Sequence, residues 1–187
     1  MEKLGGKFMV DAMFEKDIGL WPNNDTEENR SKLPMIRGLV ENGALDWPTQ
    51  ALIHEVLSIH TSDLQHIHGR GRPYSAEKIF YLPTGIAGDC HAMAAFGWVM
   101  DQKLYIVNGF ADKTNYHSWL YNAEKDVIIE PTPIERYAYF GYIVEDKVRF
   151  VINELSRISD LFIEGQLPRE LALPFFLRWV KILEKAN

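Results

Sequence analysis

The sequence predicts an α+β fold in which one buried helix packs on a small antiparallel sheet, with further helices at both ends of the chain. The helix is predicted over 89–100, where DCHAMAAFGWVM is rich in alanine and bulky apolar residues without a break. Short β-prone runs follow at 104–107, 116–121 and 127–130. A polar turn over 122–126 joins the last two runs, so we expect an antiparallel hairpin there.

The N-terminal part of the chain is predicted to combine helices with exposed loops. The stretch 21–34 (WPNNDTEENRSKLP) is polar and rich in turn residues, which predicts a loop. Within it, Asp25 or Thr26 is a candidate cap for a short turn that carries Glu27 and Glu28. The other predicted segments are a helix in 1–20, a helix from Thr49 to about His60, and an exposed glycine-rich loop over 66–75.

The C-terminal part is predicted to complete the sheet and then to continue as helix. An aromatic, β-prone run spans 137–144, and helical periodicity follows over 145–164 and 168–185. Pro168 lies near a predicted helix start, whereas Pro174 is expected to kink or split the last helix. We find no internal repeat, and we predict a single domain over 1–187, with a core at 76–144, a helical part at 1–75 and another at 145–187.

Composition and charge argue against several classes of function. The 187 residues are enough for one well-buried core, and 47% hydrophobic with 25% charged residues is typical of folded proteins. A formal net charge of −6 gives no basic face for nucleic acid. No apolar stretch predicts a membrane span or a secretory signal, and a single cysteine allows no intrachain disulfide, which suits a reducing cytoplasm. We therefore predict a cytoplasmic protein with no nucleic-acid or membrane partner and no cofactor.

The single cysteine, Cys90, is a candidate nucleophile because it lies at the start of the predicted central helix. The thiolate is the reactive form of cysteine, and the N–H groups and dipole at a helix N-terminus favour a negative charge. The same N–H groups are able to hold the oxyanion of a tetrahedral intermediate. The small residues of 85–88 (GIAG) would let the backbone of a substrate approach the sulfur.

His117 and Glu130 are the candidate base and the group that orients it. A catalytic cysteine needs an imidazole that takes its proton and returns it to the leaving group, and a third residue fixes the tautomer. His117 lies in the first strand of the predicted hairpin, and Glu130 closes the second. A turn over 122–126 sets His117 opposite Pro131 and within one step of Glu130. A shift of one residue in this register would turn either side chain to the other face.

Three short blocks in this order resemble the signature of the transglutaminase-like branch of papain-fold cysteine enzymes. The blocks are Gly88-Asp89-Cys90-His91 at the head of the helix, His117-Ser118-Trp119 in a strand, and Glu130-Pro131-Thr132 at the end of the next strand. The resemblance covers about residues 84–142 and implies a papain-like core with a triad of Cys90, His117 and Glu130. The family usually has aspartate at the third position. Its oxyanion donor upstream of the cysteine has three candidates here, Trp47, Gln65 and Tyr81.

The resemblance also implies acyl transfer through a thioester at Cys90, on a peptide or protein substrate. The acyl acceptor is either water, as in a peptidase, amidase or deamidase, or an amine, as in a cross-linking enzyme. Hydrolysis is favoured because the sequence shows no site for a second substrate. Candidate substrate-binding residues are Trp119 beside the base, Gly88 and Asp89 before the nucleophile, and Arg70 and Arg72 in the glycine-rich loop.

Each of these residues also has a purely structural interpretation. A free cysteine is often a small buried hydrophobe, His117 would fit a core histidine bonded to a carbonyl, and Glu130 would fit a strand end. Arg70 and Arg72 are equally typical of surface charges. His91 is expected to point to another side of the helix than Cys90, in a packing or rim position.

Two other functions are also compatible with the sequence. A catalytically silent module of the same fold would bind a peptide in its groove without cleaving it. A metal-dependent hydrolase would use His60, His66 and His68, because imidazoles are frequent metal ligands. We predict no metal site, because this histidine spacing without a thiolate or a firm carboxylate partner is more typical of a solvated loop.

Overall fold

The computed structural model describes residues 26–46, 50–75 and 78–186, and in these ranges the chain forms six α-helices, one short 3-10 helix and six strands. The helices are α1 (Glu27–Glu41), α2 (Gln50–Ser58), α3 (Thr61–Arg70), α4 (Cys90–Met100), α5 (Lys147–Ile163) and α6 (Ala172–Ala186), with the 3-10 helix at Arg169–Leu171. The strands are β1 (Arg72–Tyr74), β2 (Ile79–Tyr81), β3 (Tyr105–Ala111), β4 (Asn115–Asn122), β5 (Val127–Glu130) and β6 (Tyr139–Ile143). The helix predicted in 1–20 lies outside the described residues.

The six strands form one mixed sheet in the order β1-β6-β3-β4-β5-β2. All neighbouring strands are antiparallel except β2 and β5, which run parallel. The α+β prediction is therefore confirmed, whereas the expectation of a purely antiparallel sheet is wrong. The strands that the sequence analysis missed, β1 and β2, are 3 residues long each and lie at the two edges. Runs this short show too little alternation to be predicted.

The two faces of the sheet carry separate sets of side chains, because successive residues of a strand point to opposite sides. On the helix face, Ile106 and Leu120 belong to the main hydrophobic core, in which α4 packs against β4. On the second face, Trp119 and Tyr139 belong to a smaller buried cluster. Side chains of neighbouring residues in β4 therefore lie in different environments.

The β4–β5 hairpin has a register one residue away from the predicted one. Asn122 pairs with Val127, so the connecting loop is 123–126 and Asn122 belongs to the strand. Continued to the end of β5, this register places Glu130 on the second face, the same face as His117. The predicted register would have turned Glu130 to the helix face. The difference of one residue is what allows the two side chains to meet.

The first predicted loop, 21–34, gives way after Thr26 to helix α1. The Thr26 hydroxyl caps this helix by accepting a hydrogen bond from the Asn29 N–H at 3.1 Å. Pro34 lies inside the helix, where a proline costs about 3 kcal/mol. The apolar face compensates, since side chains such as Leu39 are completely buried and contribute about 1.5–3 kcal/mol each.

The second predicted loop, 66–75, divides between α3 and β1. Leu64 and Ile67, one helical turn apart, are fully buried and hold α3 in the core. Gly71 ends the helix, and Tyr74 then pairs with Tyr139 in β6. The glycines that predicted a loop here lie at the end of a helix instead, because the apolar spacing of Leu64 and Ile67 favours a helix up to Arg70.

The central helix predicted over 89–100 is present as α4. Eight of its 11 residues are buried, in one stretch from Ala92 to Val99. The sheet covers one side of α4, and α5 and α6 cover the other. One buried apolar cluster extends from Ile36 in α1 to Ile182 in α6, so the flanking helices and the sheet share a core.

The C-terminal helices lie close to their predicted positions, with one difference at Pro174. This residue was expected to kink or split the last helix, but it lies in the first turn of α6. Its missing N–H removes no hydrogen bond there, because the first N–H groups of a helix have no partner within it. Pro168 directly precedes the 3-10 helix, as expected for a helix start. None of the helices in the described ranges is long and apolar enough to cross a membrane.

Gly141 in β6 is expected to tolerate no side chain. A Cβ at this position would lie 2.6 Å from the Asn108 carbonyl oxygen and 2.7 Å from the Trp119 ring. We expect Gly141→Ala to lower the free energy of unfolding by about 1–3 kcal/mol, because neither the β3 backbone nor the buried indole is free to move. Gly69→Ala is the control, since a Cβ on this helical residue meets nothing within 4 Å. It is expected to be neutral or stabilising by about 0.5–1 kcal/mol. Equal urea midpoints for the two variants would contradict this account.

Candidate active site

Cys90 is the first residue of α4 and is partly buried. The first hydrogen bond of the helix joins the Met93 N–H to the Asp89 carbonyl oxygen at 2.8 Å. The N–H groups of Cys90, His91 and Ala92 therefore have no acceptor within the helix. Together with the positive end of the helix dipole, these groups favour a negative charge at the sulfur or at an oxyanion beside it.

Asp89 fixes the start of α4 against α5. Its two carboxylate oxygens accept hydrogen bonds from the Arg157 guanidinium, at 2.5 Å from Nε and 2.9 Å from the second terminal nitrogen. Such two-point pairs define both distance and orientation. Asp89 was expected to bind substrate, but this contact assigns its carboxylate to Arg157. The residue therefore positions the helix that carries Cys90.

His117 and Glu130 form a buried two-point contact. The Nε2 atom of His117 lies 2.9 Å from Oε1 and 3.0 Å from Oε2 of Glu130. His117 is 1% exposed and Glu130 is 0% exposed, so water does not weaken this pair. Because the ionised carboxylate only accepts hydrogen bonds, Nε2 must carry a proton. Nδ1 is then left to hydrogen-bond with Cys90.

Three further donors hold the Glu130 carboxylate in place. Oε1 accepts hydrogen bonds from the Thr132 N–H at 3.0 Å and from its hydroxyl at 2.6 Å. Oε2 accepts the Tyr139 hydroxyl at 2.8 Å, with the Arg136 Nε 3.9 Å away. Burial alone would raise the pKa of Glu130, but the contacts with His117, Thr132 and Tyr139 outweigh it and lower the pKa. The carboxylate therefore stays ionised.

The Cys90 thiol hydrogen-bonds to two imidazoles, those of His117 and His91. Burial would raise its pKa, but these hydrogen bonds and the attraction of the two rings lower the pKa of Cys90 to about 5. Burial would likewise lower the pKa of His117, yet its contacts with Cys90 and Glu130 raise it. The two shifts together favour a thiolate–imidazolium pair near neutral pH.

Trp119 packs against His117 and is closed to a substrate. Its side chain is 0% exposed, and its ring stacks on that of His117 with the centroids 6.3 Å apart and an angle of 19°. A side chain without exposed surface cannot line a cleft, so the expected substrate contact is corrected. Gly88, by contrast, is exposed, and its φ of 87° is a conformation that glycine adopts without strain. Apart from Gly88 and its two chain neighbours, no atom of the described residues lies within 4 Å of the place where a Cβ would be.

Arg70 and Arg72 are not brought to Cys90. Arg70 forms an exposed ion pair with Glu145, with 2.6 Å between the charged atoms. The guanidinium of Arg72 lies over the ring of Tyr74, 4.9 Å from its centroid. Arg72 belongs to the edge strand β1, three strands from β4, so its backbone is roughly 14 Å from that of His117. Its guanidinium reaches across to the ring of Tyr121 in β4, 5.9 Å from the centroid. The two arginines agree with their interpretation as surface charges.

The three histidines of the alternative metal site do not converge. His60 precedes α3 and hydrogen-bonds to the Ser62 hydroxyl at 2.8 Å through Nδ1. His66 packs against Tyr142, whereas His68, two residues further along the helix, lies against Gly38 of α1. Residues two apart on a helix face different directions. Among the described residues, no group of three or more potential ligands is placed to hold a metal ion.

The candidates for an oxyanion donor have different positions. Gln65 is exposed on α3. Tyr81 is in register with Glu130 in the parallel β2–β5 pair and is 46% exposed, so it lies beside the triad. Trp47 lies outside the described residues.

The roles of three site residues, Thr132, Tyr139 and His91, were not predicted from the sequence. Thr132 stands in the third motif block, but nothing in the sequence indicates that both its hydroxyl and its N–H bind Glu130. Tyr139 comes from β6, and the order of strands that brings it to Glu130 cannot be read from periodicity. His91 was assigned to packing or a rim, yet it contacts the Cys90 sulfur. Its position directly after the nucleophile was the available signal.

Comparison with protein-family models, with curated proteins and with solved structures finds no match for this chain. The functional assignment therefore depends on the geometry of the site itself.

Proposed function

We propose that this protein is a cysteine-dependent acyl-transfer enzyme, with Cys90 as nucleophile, His117 as base and acid, and Glu130 as the orienting group. The observation that carries the proposal is the double contact of His117, whose Nε2 faces both carboxylate oxygens of Glu130 while its ring also bonds the Cys90 thiol. This is the arrangement that nucleophile, base and orienting group require. The start of a helix at Cys90 adds oxyanion donors.

The chemistry proceeds through a thioester. The Cys90 thiolate attacks the carbonyl carbon of an amide, and the first-turn N–H groups of α4 stabilise the oxyanion. The C–N bond then breaks as Nδ1 of the His117 imidazolium gives its proton to the leaving amine. In the second half, His117 takes a proton from water, the resulting hydroxide adds to the thioester carbon, and the Cys90 thiolate leaves. The products are an amine and a carboxylic acid.

The transglutaminase-like resemblance of the three sequence blocks agrees with this proposal, as does the packing of the helix that carries Cys90 against the strand that carries His117. Glu130 replaces the usual aspartate of that family. Its longer side chain reaches His117 in this structure with both oxygens. We infer hydrolysis rather than transamidation, in the cytoplasm, with a peptide or protein amide as substrate.

A peptide substrate is supported by exposed aromatic surface next to the triad. Tyr81, which is in register with Glu130, is 46% exposed. Tyr137, in the segment after β5, is 72% exposed. Aromatic side chains of this kind provide large contact area at low conformational cost and are frequent in peptide-binding surfaces.

Trapping of the acyl-enzyme tests the proposed function. We expect wild-type protein mixed with p-nitrophenyl acetate to carry an acetyl group on Cys90, detected by intact mass and peptide mapping, which decays in water. Peptide amides presented as a mixture should be cleaved or deamidated by the wild type only. Cys90→Ala is the matched control and should form no adduct at this position. Equal product release by the wild type and Cys90→Ala, or an acetyl group on a residue other than Cys90, would contradict the proposal.

A further inference from the structure

His91 contacts Cys90 independently of the His117–Glu130 pair. It lies in the first turn of α4, and a hydrogen-bond chain runs from it through residues of the helix face of the sheet. Its Nδ1 lies 2.6 Å from the Ser118 hydroxyl, which donates to Oδ1 of Asn108 at 3.0 Å. Nδ2 of Asn108 donates to the Tyr116 hydroxyl at 2.6 Å. Cys90 thus interacts with two imidazoles, that of His117 on the second face of the sheet and that of His91, which is hydrogen-bonded to the helix face.

The hydrogen-bond chain ends at the carboxylate of Asp63, and this end determines which partner donates in each hydrogen bond. The Tyr116 hydroxyl donates to Oδ2 of Asp63 at 3.3 Å, while Oδ1 of Asp63 accepts the Tyr142 hydroxyl at 3.0 Å. Burial and the neighbouring Asp63 raise the pKa of Tyr116, so its hydroxyl keeps the proton that it donates. A hydroxyl has one proton to give, and Tyr116 must therefore accept from Asn108.

The same counting continues back to the imidazole. Since Asn108 uses its NH₂ group on Tyr116, its Oδ1 is the acceptor for the Ser118 hydroxyl. The single hydroxyl proton of Ser118 is then committed, so its oxygen accepts from Nδ1 of His91. Nδ1 must carry a proton in both charge states of the ring. Only Nε2 is left to face the cysteine.

We propose that His91 is a second catalytic histidine, which holds the Cys90 sulfur as a thiolate through its Nε2 while the Ser118–Asn108–Tyr116–Asp63 chain fixes the tautomer and orientation of its ring. This inference rests on the proposed function and divides the work between two imidazoles. His117 moves the proton of each half-reaction. His91 donates a hydrogen bond to the sulfur when the thiolate is present and undergoes no net proton transfer.

The charged surroundings of His91 agree with this role. Cys90 and His117 face it from the site, Glu154 from α5 and Tyr116 from β4, with the uncharged ring of Phe150 on α5 beside it. Burial would lower the pKa of His91, but the bond to Cys90 and the attraction of Cys90 and Glu154 outweigh it and raise the pKa, against repulsion from His117. The cationic ring, with N–H on both nitrogens, is the form that donates to a thiolate and to Ser118 at once.

The test measures the pH dependence of Cys90 alkylation by iodoacetamide in the full-length chain. For the wild type we expect a midpoint of about 5, the pKa of the thiol. His91→Leu should raise this midpoint by about 1–3 pH units, because one donor and one positive charge leave the sulfur. Ser118→Ala and Tyr116→Phe break the chain without touching the sulfur, and each should raise the midpoint by a smaller amount. His68→Leu, on α3 and outside the chain, is the control and should not move it.

The outcomes separate this inference from the proposed function. A wild-type midpoint near that of an ordinary thiol would overturn both. A low wild-type midpoint that is unchanged in His91→Leu and in Ser118→Ala would overturn the role of His91 alone, since a merely structural residue would change the melting temperature without moving the titration. If His91→Leu does not fold, the Ser118→Ala variant decides the question. A raised alkylation midpoint in Ser118→Ala supports the role of the hydrogen-bond chain, and an unchanged midpoint refutes it.

Discussion

Glu130→Gln is expected to lower turnover by about 10³–10⁴-fold, the size of effect known for removal of the orienting charge from a catalytic triad. All the groups around this carboxylate are donors, namely His117, the N–H and hydroxyl of Thr132, and Tyr139. The NH₂ of the glutamine amide needs an acceptor, which is either a Thr132 or Tyr139 hydroxyl that turns its own proton away or Nε2 of His117 after a change of tautomer. Such a change puts the proton on Nδ1, and the neutral ring then cannot accept the proton of the thiol. The kcat on a substrate identified by acyl-enzyme trapping measures the loss.

Two matched variants decide whether that loss comes from orientation. Glu130→Asp keeps the charge but moves it away from His117 by about the length of one methylene group. An error of about 1 Å in a catalytic contact lowers the rate by about 10²-fold. Tyr139→Phe removes only the donor to Oε2 and is expected to reduce kcat by about 10-fold, one net hydrogen bond. Retention of turnover within about 10-fold in Glu130→Gln, with unfolding unchanged, would refute the orienting role.

His117→Ala is expected to abolish turnover at every pH while leaving a reactive cysteine at high pH. Without the imidazole, one of the two hydrogen bonds that lower the pKa of Cys90 from its ordinary value to about 5 is lost. The pKa of Cys90 rises, and an increase of about 1–3 units reduces the thiolate fraction near pH 5 by about 5–500-fold. Alkylation by iodoacetamide should therefore slow at acidic pH and approach the wild-type rate near pH 9, where the thiol ionises unaided. Hydrolysis should not recover there, because no group remains to protonate the leaving amine.

His117→Ala combined with His91→Leu extends this experiment. Burial is then unopposed and raises the pKa of Cys90 above that of an ordinary thiol. The alkylation midpoint should increase from the wild type to each single variant and again to the double variant. Alkylation of the double variant at pH 6 with the wild-type rate would show that neither imidazole controls the thiol.

The sequence predicted the elements that carry the triad because their signals are local. The run from Asp89 to Met100 is apolar on all sides, which is typical of a buried helix, and α4 begins at Cys90 as expected. The polar residues between two β-prone runs predicted the hairpin. Its register depended on whether Asn122 belonged to the turn or to the strand, and periodicity cannot decide a difference of one residue.

The remaining differences have non-local causes. Pro34 argues against a helix when only nearby residues are considered, and the burial that keeps α1 helical comes from contacts with distant segments. Strand β2 pairs in parallel with β5, a partner that its 3 residues do not specify. The same holds for His91, since its bond to Ser118 in β4 joins residues far apart in the chain. Local patterns give the elements, and only tertiary packing assigns their partners.

The hydrogen bonds on Glu130 have a consequence for the origin of catalysis in the proposed enzyme. All of their partners are residues of the same chain, so folding itself orients the carboxylate, the imidazole and the thiol. The free energy needed to desolvate and align these charges is drawn from folding rather than from substrate binding. Variants that stabilise the rest of the core, far from Cys90, would therefore be the natural background in which to study substitutions at the triad.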